Sequence, residues 1–105
     1  MKGPNMDLNI IKSYLDADGR IIQMPAKKKK KLYILSYLAD CIPENQEFDE
    51  KEFNKLLNDL HTFKDAATLR REMYNYFLIN REQNGSVYTV NRNRPSAEAL
   101  VEKYC

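Results

Sequence analysis

Apolar residues recur along the chain with two different periods, and each change of period marks the start of a new predicted element. In residues 65–77, Leu69, Met73 and Phe77 stand four positions apart, which predicts an α-helix with one buried face. Asp65 is a favourable N-cap for this helix, because its carboxylate accepts hydrogen bonds from the free N–H groups of the first turn. The pattern therefore predicts a capped helix that begins directly after Asp65.

The pattern then changes to strand-forming residues at 78–81 and again at 87–90. Asn84 and Gly85 lie between these segments, and both residue types adopt the positive φ angles of a tight hairpin turn. A helix followed by a hairpin is typical of the end of a winged-helix domain. The upstream chain is therefore expected to supply the other helices of such a domain.

A long helix is predicted over residues 27–42, where the apolar positions form a wide face. Pro25 lies just ahead of its start, where proline is tolerated, and Pro43 stops the pattern. The positions expected in its buried face are Leu32, Ile34, Leu35, Leu38, Ala39 and Ile42.

The next helix has the clearest start signal in the chain. Asp49 and Glu52 have the spacing of a capping box, and Phe48 and Phe53 occupy the two staple positions around it. Phe48 is also expected to pair as a strand of one or two residues. The predicted buried stripe of this helix is Phe53, Leu56, Leu57 and Leu60.

Shorter elements are predicted at both ends of the chain. Residues 7–16 predict a short amphipathic helix that ends in a turn at Asp18 and Gly19. Its apolar stripe is Leu8, Ile11 and Leu15. A strand over residues 20–24 is expected to follow and to join the small sheet. After the hairpin, Ser96 is predicted to cap a last short helix.

Together these elements predict an α+β chain of winged-helix-like fold, with a helix-turn-helix and a β-hairpin wing. Residues 25–91 are expected to form this domain. Residues 1–24 are expected to be a helix–strand extension packed on it, and residues 92–105 a linker and short helix. A length of 105 residues fits one domain with a single modest core.

The composition, 43% hydrophobic and 30% charged, is that of a globular chain and excludes intrinsic disorder. No apolar run approaches the roughly 20 residues that span a bilayer, and no secretory signal precedes the first helix. Two cysteines are not a disulfide framework, so a reduced, cytoplasmic location away from membranes is expected. The net charge of +2 permits nucleic-acid binding without requiring it.

Residues suited to catalysis or metal binding are sparse. His61 is the one histidine, and no hydrolase motif, phosphate-binding loop or dinucleotide fingerprint accompanies it. Cys41, His61 and Cys105 are too far apart in the sequence to predict a zinc site. The chain is therefore not expected to be an enzyme or to hold a cofactor or metal.

Five consecutive lysines, Lys27–Lys31, lie at the start of the long helix. Cations there oppose the helix dipole unless a phosphate binds at the same end of the helix. The run is therefore either a phosphate-contacting segment or a solvated, solubilising face. Its candidate DNA contacts are Lys27, Lys28, Lys30 and Lys31.

The helix before the hairpin has a second set of candidates. Thr68, Arg70 and Arg71 lie in its N-terminal half, which a helix-turn-helix protein inserts into the major groove. Either these arginines contact DNA, or one of them pairs with an acid such as Glu72 or Asp59. The candidate contacts of this helix and of the hairpin are Thr68, Arg70, Arg71 and Arg81.

Four segments stand out by their residue pattern: Pro25–Leu32, Phe48–Asn54, His61–Glu72 and Asn84–Tyr88. Together they resemble the bacterial "domain of unknown function 2087" family over roughly residues 16–90, and His61–Glu72 is the most specific of them. The resemblance implies a fold similar to a winged helix. Some members are attached to helix-turn-helix transcriptional regulators, which implies a regulatory setting.

The same resemblance marks four residues by their position in the motif: His61, Asp65, Arg70 and Arg71. His61 and Asp65 are expected to fix the turn between two helices, through an imidazole N–H bonded to a carboxylate or a backbone carbonyl. The two arginines remain the functional candidates.

The leading hypothesis is a cytoplasmic transcriptional regulator that binds double-stranded DNA through a winged-helix domain. The alternative is a non-catalytic interaction or regulatory module of the same fold, which packs on a protein partner or on a second copy. A third hypothesis is a ligand- or metal-linked sensor that uses His61 and Cys41. The DNA hypothesis gains if the lysine run and the helix after Asp65 lie on one basic face, and it loses if they point apart or if the arginines are tied to acids.

Overall fold

A computed structural model describes residues 8–84 and 86–105 of the chain, with the side chain of Leu8 left out. In this part of the chain the secondary structure consists of four α-helices, one two-stranded antiparallel hairpin and two short 3₁₀ turns. The elements are α1 (Lys28–Asp40), α2 (Glu50–Leu60), α3 (Ala66–Asn75), β1 (Ile79–Arg81), β2 (Tyr88–Val90) and α4 (Ala97–Tyr104). The chain is therefore α+β, in an order compatible with a winged-helix-like layout.

The wide apolar face of α1 forms the centre of the core. All six positions predicted for this face are buried, with α3 packed on one part of the helix and α4 on another. Leu32 and Leu35 are completely inaccessible to solvent, as are Phe53 and Leu57 from α2. Burying each such side chain contributes about 1.5–3 kcal/mol, so this face is a substantial source of stability in the fold.

The start of α2 has the capping box that the sequence predicts. The Asp49 carboxylate accepts from the Glu52 N–H at 2.7 Å, and the Glu52 carboxylate accepts from the Asp49 N–H at 3.0 Å. The rings of Phe48 and Phe53 lie 5.6 Å apart around it, and Phe48 forms a single bridge with Tyr88. The cap therefore fixes both the first residue of α2 and its contact with the hairpin.

The end of α3 differs from the prediction, because Phe77 is not part of the buried face. The helix ends at Asn75, and Phe77 takes a left-handed conformation with φ 64° and a 57% exposed side chain. The Leu78 N–H donates to the Met73 carbonyl and the Phe77 N–H to the Tyr74 carbonyl, which is the Schellman pattern of a helix end. The four-residue period fails at Phe77 because this turn reverses the backbone before the ring reaches the core.

The hairpin has the predicted position, with Ile79 opposite Val90 and Arg81 opposite Tyr88. This register centres the connection on Asn84 and Gly85.

The turn of the hairpin is longer than predicted. The innermost hydrogen bond between the strands joins the Glu82 N–H to the Val87 carbonyl, so four residues separate the bonded pair instead of two. The Asn84 side chain accepts from the Ser86 N–H at 3.0 Å. Gly85, on which the predicted positive φ angles partly depend, lies outside the described residues.

The N-terminal segment does not form the predicted helix and strand. Over residues 8–14 it contains two 3₁₀ turns, Leu8–Ile10 and Lys12–Tyr14. Ile21 forms single bridges with Leu15 and with His61, so the segment pairs at this one residue, beside the α2–α3 turn and not with the hairpin. Ile11 and Ile21 are nevertheless completely buried, which shows that the apolar positions predict burial here but not the type of element.

The C-terminal residues pack against α1. Ser96 caps α4 by accepting from the Ala99 N–H at 3.1 Å, as the sequence predicts, and Ala97 and Leu100 are buried in the common core. Arg94 holds the preceding linker against the end of α1. Its guanidinium lies 2.8 Å from the Asp40 carboxylate and 3.0 Å from that of Glu44.

Candidate functional site

The turn between α2 and α3 is built around the buried imidazole of His61, which is 2% exposed. Nδ1 lies 2.6 Å from the Leu57 carbonyl, and Nε2 accepts the Asp65 N–H at 2.8 Å. Since a carbonyl can only accept, the ring is a neutral imidazole with its proton on Nδ1. His61 thus links the last turn of α2 to the first residue before α3, and both ring nitrogens are already bonded.

Asp65 caps α3 by accepting the Thr68 N–H at 3.4 Å. From this start α3 places Leu69 and Met73 in the core, while Arg71 is exposed on the opposite side. Thr68 is half-buried on the side that faces α1. Thr68 and Arg71 are one helical turn apart on the same side of α3, but Thr68 is half-buried beside α1 whereas Arg71 is exposed.

Arg70 points toward α2 and the hairpin. One guanidinium nitrogen donates to the Asn54 side chain, the Glu50 carboxylate lies 3.8 Å away, and the group sits 5.5 Å from the centre of the Tyr88 ring. Its side chain is 19% exposed. These contacts hold Arg70 between elements of the fold, away from the exposed side of α3.

Glu72 is turned toward α1, where its Oε1 atom lies 2.6 Å from Lys31 Nζ. The two side chains are 23% and 30% exposed, and Oε1 is inaccessible to solvent. The contact is an ion pair at short distance, but its direction is outside hydrogen-bond geometry. Lys31 and Glu72 therefore neutralise each other between the two helices.

The other lysines of the run point in several directions. Lys28 lies 5.9 Å from the centre of the Tyr104 ring on α4, and Lys30 lies 5.8 Å from the Tyr14 ring in the N-terminal segment. Lys27 is the residue before α1, and its side chain and that of Lys29 are exposed. The run is thus divided among α3, α4, the N-terminal segment and solvent.

The exposed side of α3 continues onto the hairpin. The Arg81 guanidinium lies 5.1 Å from the centre of the Tyr74 ring, and Tyr74 is 44% exposed. Phe77 follows at the helix end, and Arg71 precedes Tyr74 by one helical turn. We call Arg71, Tyr74, Phe77 and Arg81 the outer face of α3.

Two members of this outer face, Tyr74 and Phe77, were not predicted as site residues. Phe77 follows Leu69 and Met73 at the spacing of buried residues, so its pattern predicts the core. The sequence does indicate an exposed side chain for Tyr74, because its position in the helix is at the edge of the apolar stripe. No pattern in the sequence shows that an arginine in the hairpin lies over its ring.

The described residues contain no group of three or more histidine, cysteine, aspartate or glutamate side chains arranged to hold a metal ion. Within the same residues, none of the helices has both the length and the apolar character needed to cross a membrane.

Comparison with known proteins identifies the family of the chain. The model of a family described as "uncharacterized protein conserved in bacteria", domain of unknown function 2087, matches residues 20–90, which is more than half of the chain. No curated protein and no solved structure matches the chain. The family match confirms the resemblance expected from the four segments. The chain belongs to the bacterial domain of unknown function 2087 family.

Proposed function

We propose that the chain is a winged-helix protein that binds double-stranded DNA in the bacterial cytoplasm and acts as a transcriptional regulator. The observation that carries the proposal is the outer face of α3, where Arg71 and Arg81 are exposed on the helix before the hairpin and on the hairpin itself. In a winged helix this helix enters the major groove while the hairpin contacts the adjacent backbone or minor groove.

The positions of the nearby acids support this proposal. Glu72 follows Arg71 in the sequence and would offset its charge on a shared face. Its carboxylate instead lies against Lys31, on the side of α3 that packs on α1. Asp65 is the residue directly before the helix, and its carboxylate accepts the Thr68 N–H. Arg71 is therefore not paired with either acid.

The individual roles follow from chemistry and exposure. Arg71 is positioned to donate to guanine O6 and N7, since an arginine presents paired donors to these acceptors. Arg81 and the exposed lysines Lys27 and Lys29 are assigned to phosphates, which position the protein without reading sequence. Arg70 and Lys31 receive no DNA contact in this proposal, because they are paired with Glu50 and Glu72. Thr68 receives none because it is half-buried beside α1.

Fluorescence anisotropy with a labelled random-sequence duplex at low salt tests the proposal. On this duplex, which has no defined target site, we expect Arg71→Ala to weaken binding and to lower the slope of log affinity against log salt, because it removes an exposed cation from the outer face of α3. Replacing Lys27 and Lys29 by alanine is expected to lower the slope of log affinity against log salt by about 0.9 for each phosphate that is no longer neutralised. Lys12→Ala is the matched control, because Lys12 is an exposed lysine outside α3, the hairpin and the lysine run. Absence of binding, or equal losses for Arg71→Ala and Lys12→Ala, would disprove the proposal.

A second candidate function, a protein-interaction module, is favoured by the exposed ring of Phe77. A 57% exposed phenylalanine beside a 44% exposed tyrosine resembles the aromatic centre of a protein interface. In this candidate the outer face of α3 packs on a second copy or on another protein. Sedimentation distinguishes the two functions: a dimer that Phe77→Ser converts to monomer, in a chain that does not bind DNA, supports the interaction module.

A further inference from the structure

A groove lies between the first turns of α1, the N-terminal half of α3 and the segment 22–25. Its volume is about 490 Å³, within the range of sites that bind small molecules. Its apolar lining is Ile22, Met24, Pro25, Leu35, Phe63 and Leu69. Leu35 and Leu69 are core residues, so the floor of the groove is fixed by the packing of α1 against α3.

Few polar groups converge on this apolar lining. Lys31 and Glu72 contribute one charge of each sign and lie 2.6 Å apart, so they cancel. Asp65 contributes a further carboxylate, and no cation in the described part of the chain pairs with it. The groove is therefore apolar with a net charge of one negative unit at its α3 end.

We propose that this groove binds a small apolar molecule with a cationic amine. The apolar body packs on the accessible side chains of Ile22, Met24 and Phe63, above the buried floor of the groove. The ammonium group donates to the Asp65 carboxylate. The proposal depends on the lining of the groove and not on the DNA-binding function, so it is tested without DNA.

The chemistry of the lining also selects against an anionic ligand. Among the residues that the structure describes, Lys31 is the one cation that lines the groove, and its ammonium group is already neutralised by Glu72. A ligand carboxylate would meet Asp65 without a free positive charge to offset the repulsion. Among molecules of one shape, the order of affinity is therefore amine, then neutral alcohol, then carboxylate.

Three matched probes test this order by titration of the full ¹⁵N-labelled chain: 2-phenylethylamine, 2-phenylethanol and 3-phenylpropionate. For molecules of this size we expect dissociation constants on the order of 1–10 mM for the amine. Its shifts are expected at the amides of Leu35, Thr68 and Leu69, with the alcohol weaker at the same amides and the carboxylate weakest.

A charge-removing variant gives the sharper measurement. Asp65→Asn keeps a good N-cap but removes the carboxylate, so α3 is expected to remain intact. The amine should then bind about three- to fivefold more weakly, the range of a partly exposed ion pair, while the alcohol is unchanged. Asp49→Asn is the matched control, because Asp49 is the N-cap of α2 and does not line the groove.

Three results would overturn the proposal. The first is that no probe gives saturable shifts at the groove amides. The second is that the carboxylate binds as tightly as the amine. The third is that Asp65→Asn and Asp49→Asn change the affinity for the amine equally.

Discussion

At the scale of the residue, His61 has a structural role, because both ring nitrogens are used within the fold. The imidazole satisfies a carbonyl at the end of α2 and an N–H before α3, two groups that helix ends leave without partners. It is also packed edge-on against Phe63, with ring centres 4.6 Å apart. The sensor hypothesis based on His61 and Cys41 would require breaking these bonds before the ring could bind a metal.

We predict that His61→Ala lowers the free energy of unfolding by about 2–4 kcal/mol, since it leaves a cavity and two buried polar groups without partners. Urea denaturation followed by circular dichroism measures the change. Thr62→Ala is the control, because Thr62 is the exposed neighbour, and its effect should stay within about 0.5 kcal/mol. A loss below about 1 kcal/mol for His61→Ala would contradict the assigned role.

Phe77 has a left-handed backbone conformation, which is unfavourable for an aromatic residue. It occupies the C′ position of the Schellman turn, where glycine is usual because a Cβ atom disfavours the left-handed conformation. The fold alone does not explain why an exposed phenylalanine occupies this unfavourable backbone conformation. The exposed ring fits a surface where it contacts a partner.

We predict that Phe77→Gly raises the free energy of unfolding by about 0.5–1 kcal/mol. Glycine removes the energetic penalty of the left-handed conformation, but it also increases the entropy of the unfolded chain, which offsets part of that gain. Phe77→Ala is the matched control, since it removes the same ring but keeps the Cβ atom, and it should bring no gain. Thermal unfolding of both variants gives the comparison. Equal stability of the glycine and alanine variants would show that the backbone at Phe77 is not strained.

At the scale of the element, the end of α1 disfavours negative charge. Cys41 follows the last residue of α1, where the helix dipole is negative. Burial raises the pKa of the Cys41 thiol, the Asp40 carboxylate raises it further, and the Tyr37 hydroxyl lowers it by a smaller amount than the burial raises it. Although Cys41 as a residue is exposed, its surroundings therefore favour the neutral thiol over the thiolate.

We predict that iodoacetamide alkylates Cys41 more slowly than free cysteine at the same pH, because the folded chain holds less thiolate. The measurement uses Cys105→Ser, so that Cys41 is the only thiol. Alkylation as fast as that of free cysteine would contradict the prediction.

Burial likewise raises the pKa of the Tyr37 hydroxyl. Both Cys41 and Tyr37 are therefore stabilised in their neutral forms. Their contribution to the free energy of unfolding is complete below their usual pKa values and is lost as the pH rises above them.

At the scale of the whole molecule, Arg94 joins the C-terminal segment to the rest of the fold. Its side chain is 14% exposed and contacts two carboxylates at the end of α1 and beyond it. Burial lowers the pKa of Arg94, but hydrogen bonds from its guanidinium to Asp40 and Glu44 outweigh that effect, so the net shift is upward. The linker of residues 91–95 is thereby fixed in front of α4.

We predict that Arg94→Ala lowers the free energy of unfolding by about 1–2 kcal/mol, since the variant can no longer donate charged hydrogen bonds to the half-exposed carboxylates. Arg92→Ala is the matched control, because Arg92 is an exposed arginine of the same linker. Chemical denaturation of both variants separates the effect of these hydrogen bonds from that of net charge. Equal losses for the two variants would show that Arg94 does not fasten the segment.

The local elements of this protein were largely predictable from the sequence. The capping box at Asp49 and the N-cap at Asp65 act within a few residues, and each has the position that the pattern predicts. The hairpin also lies where the pattern predicts it, but with a longer turn than expected. The apolar face of α1 was also predictable, because burial follows the helical period. Family membership was predictable for the same reason, since short segments carry it.

The tertiary structure decided where the side chains of the candidate site point. Lys31, Arg70 and Arg71 are all cations in the sequence, yet only Arg71 is exposed on the outer face of α3. Lys31 pairs with Glu72, 41 positions later in the chain, and Arg70 contacts Asn54 on α2. The sequence by itself determined the four α-helices, the hairpin and the apolar positions, because these depend on neighbouring residues, but it did not determine the type of element in the N-terminal segment. Which charges remain free for a ligand depended on contacts between elements far apart in the chain, and no local pattern contains that information.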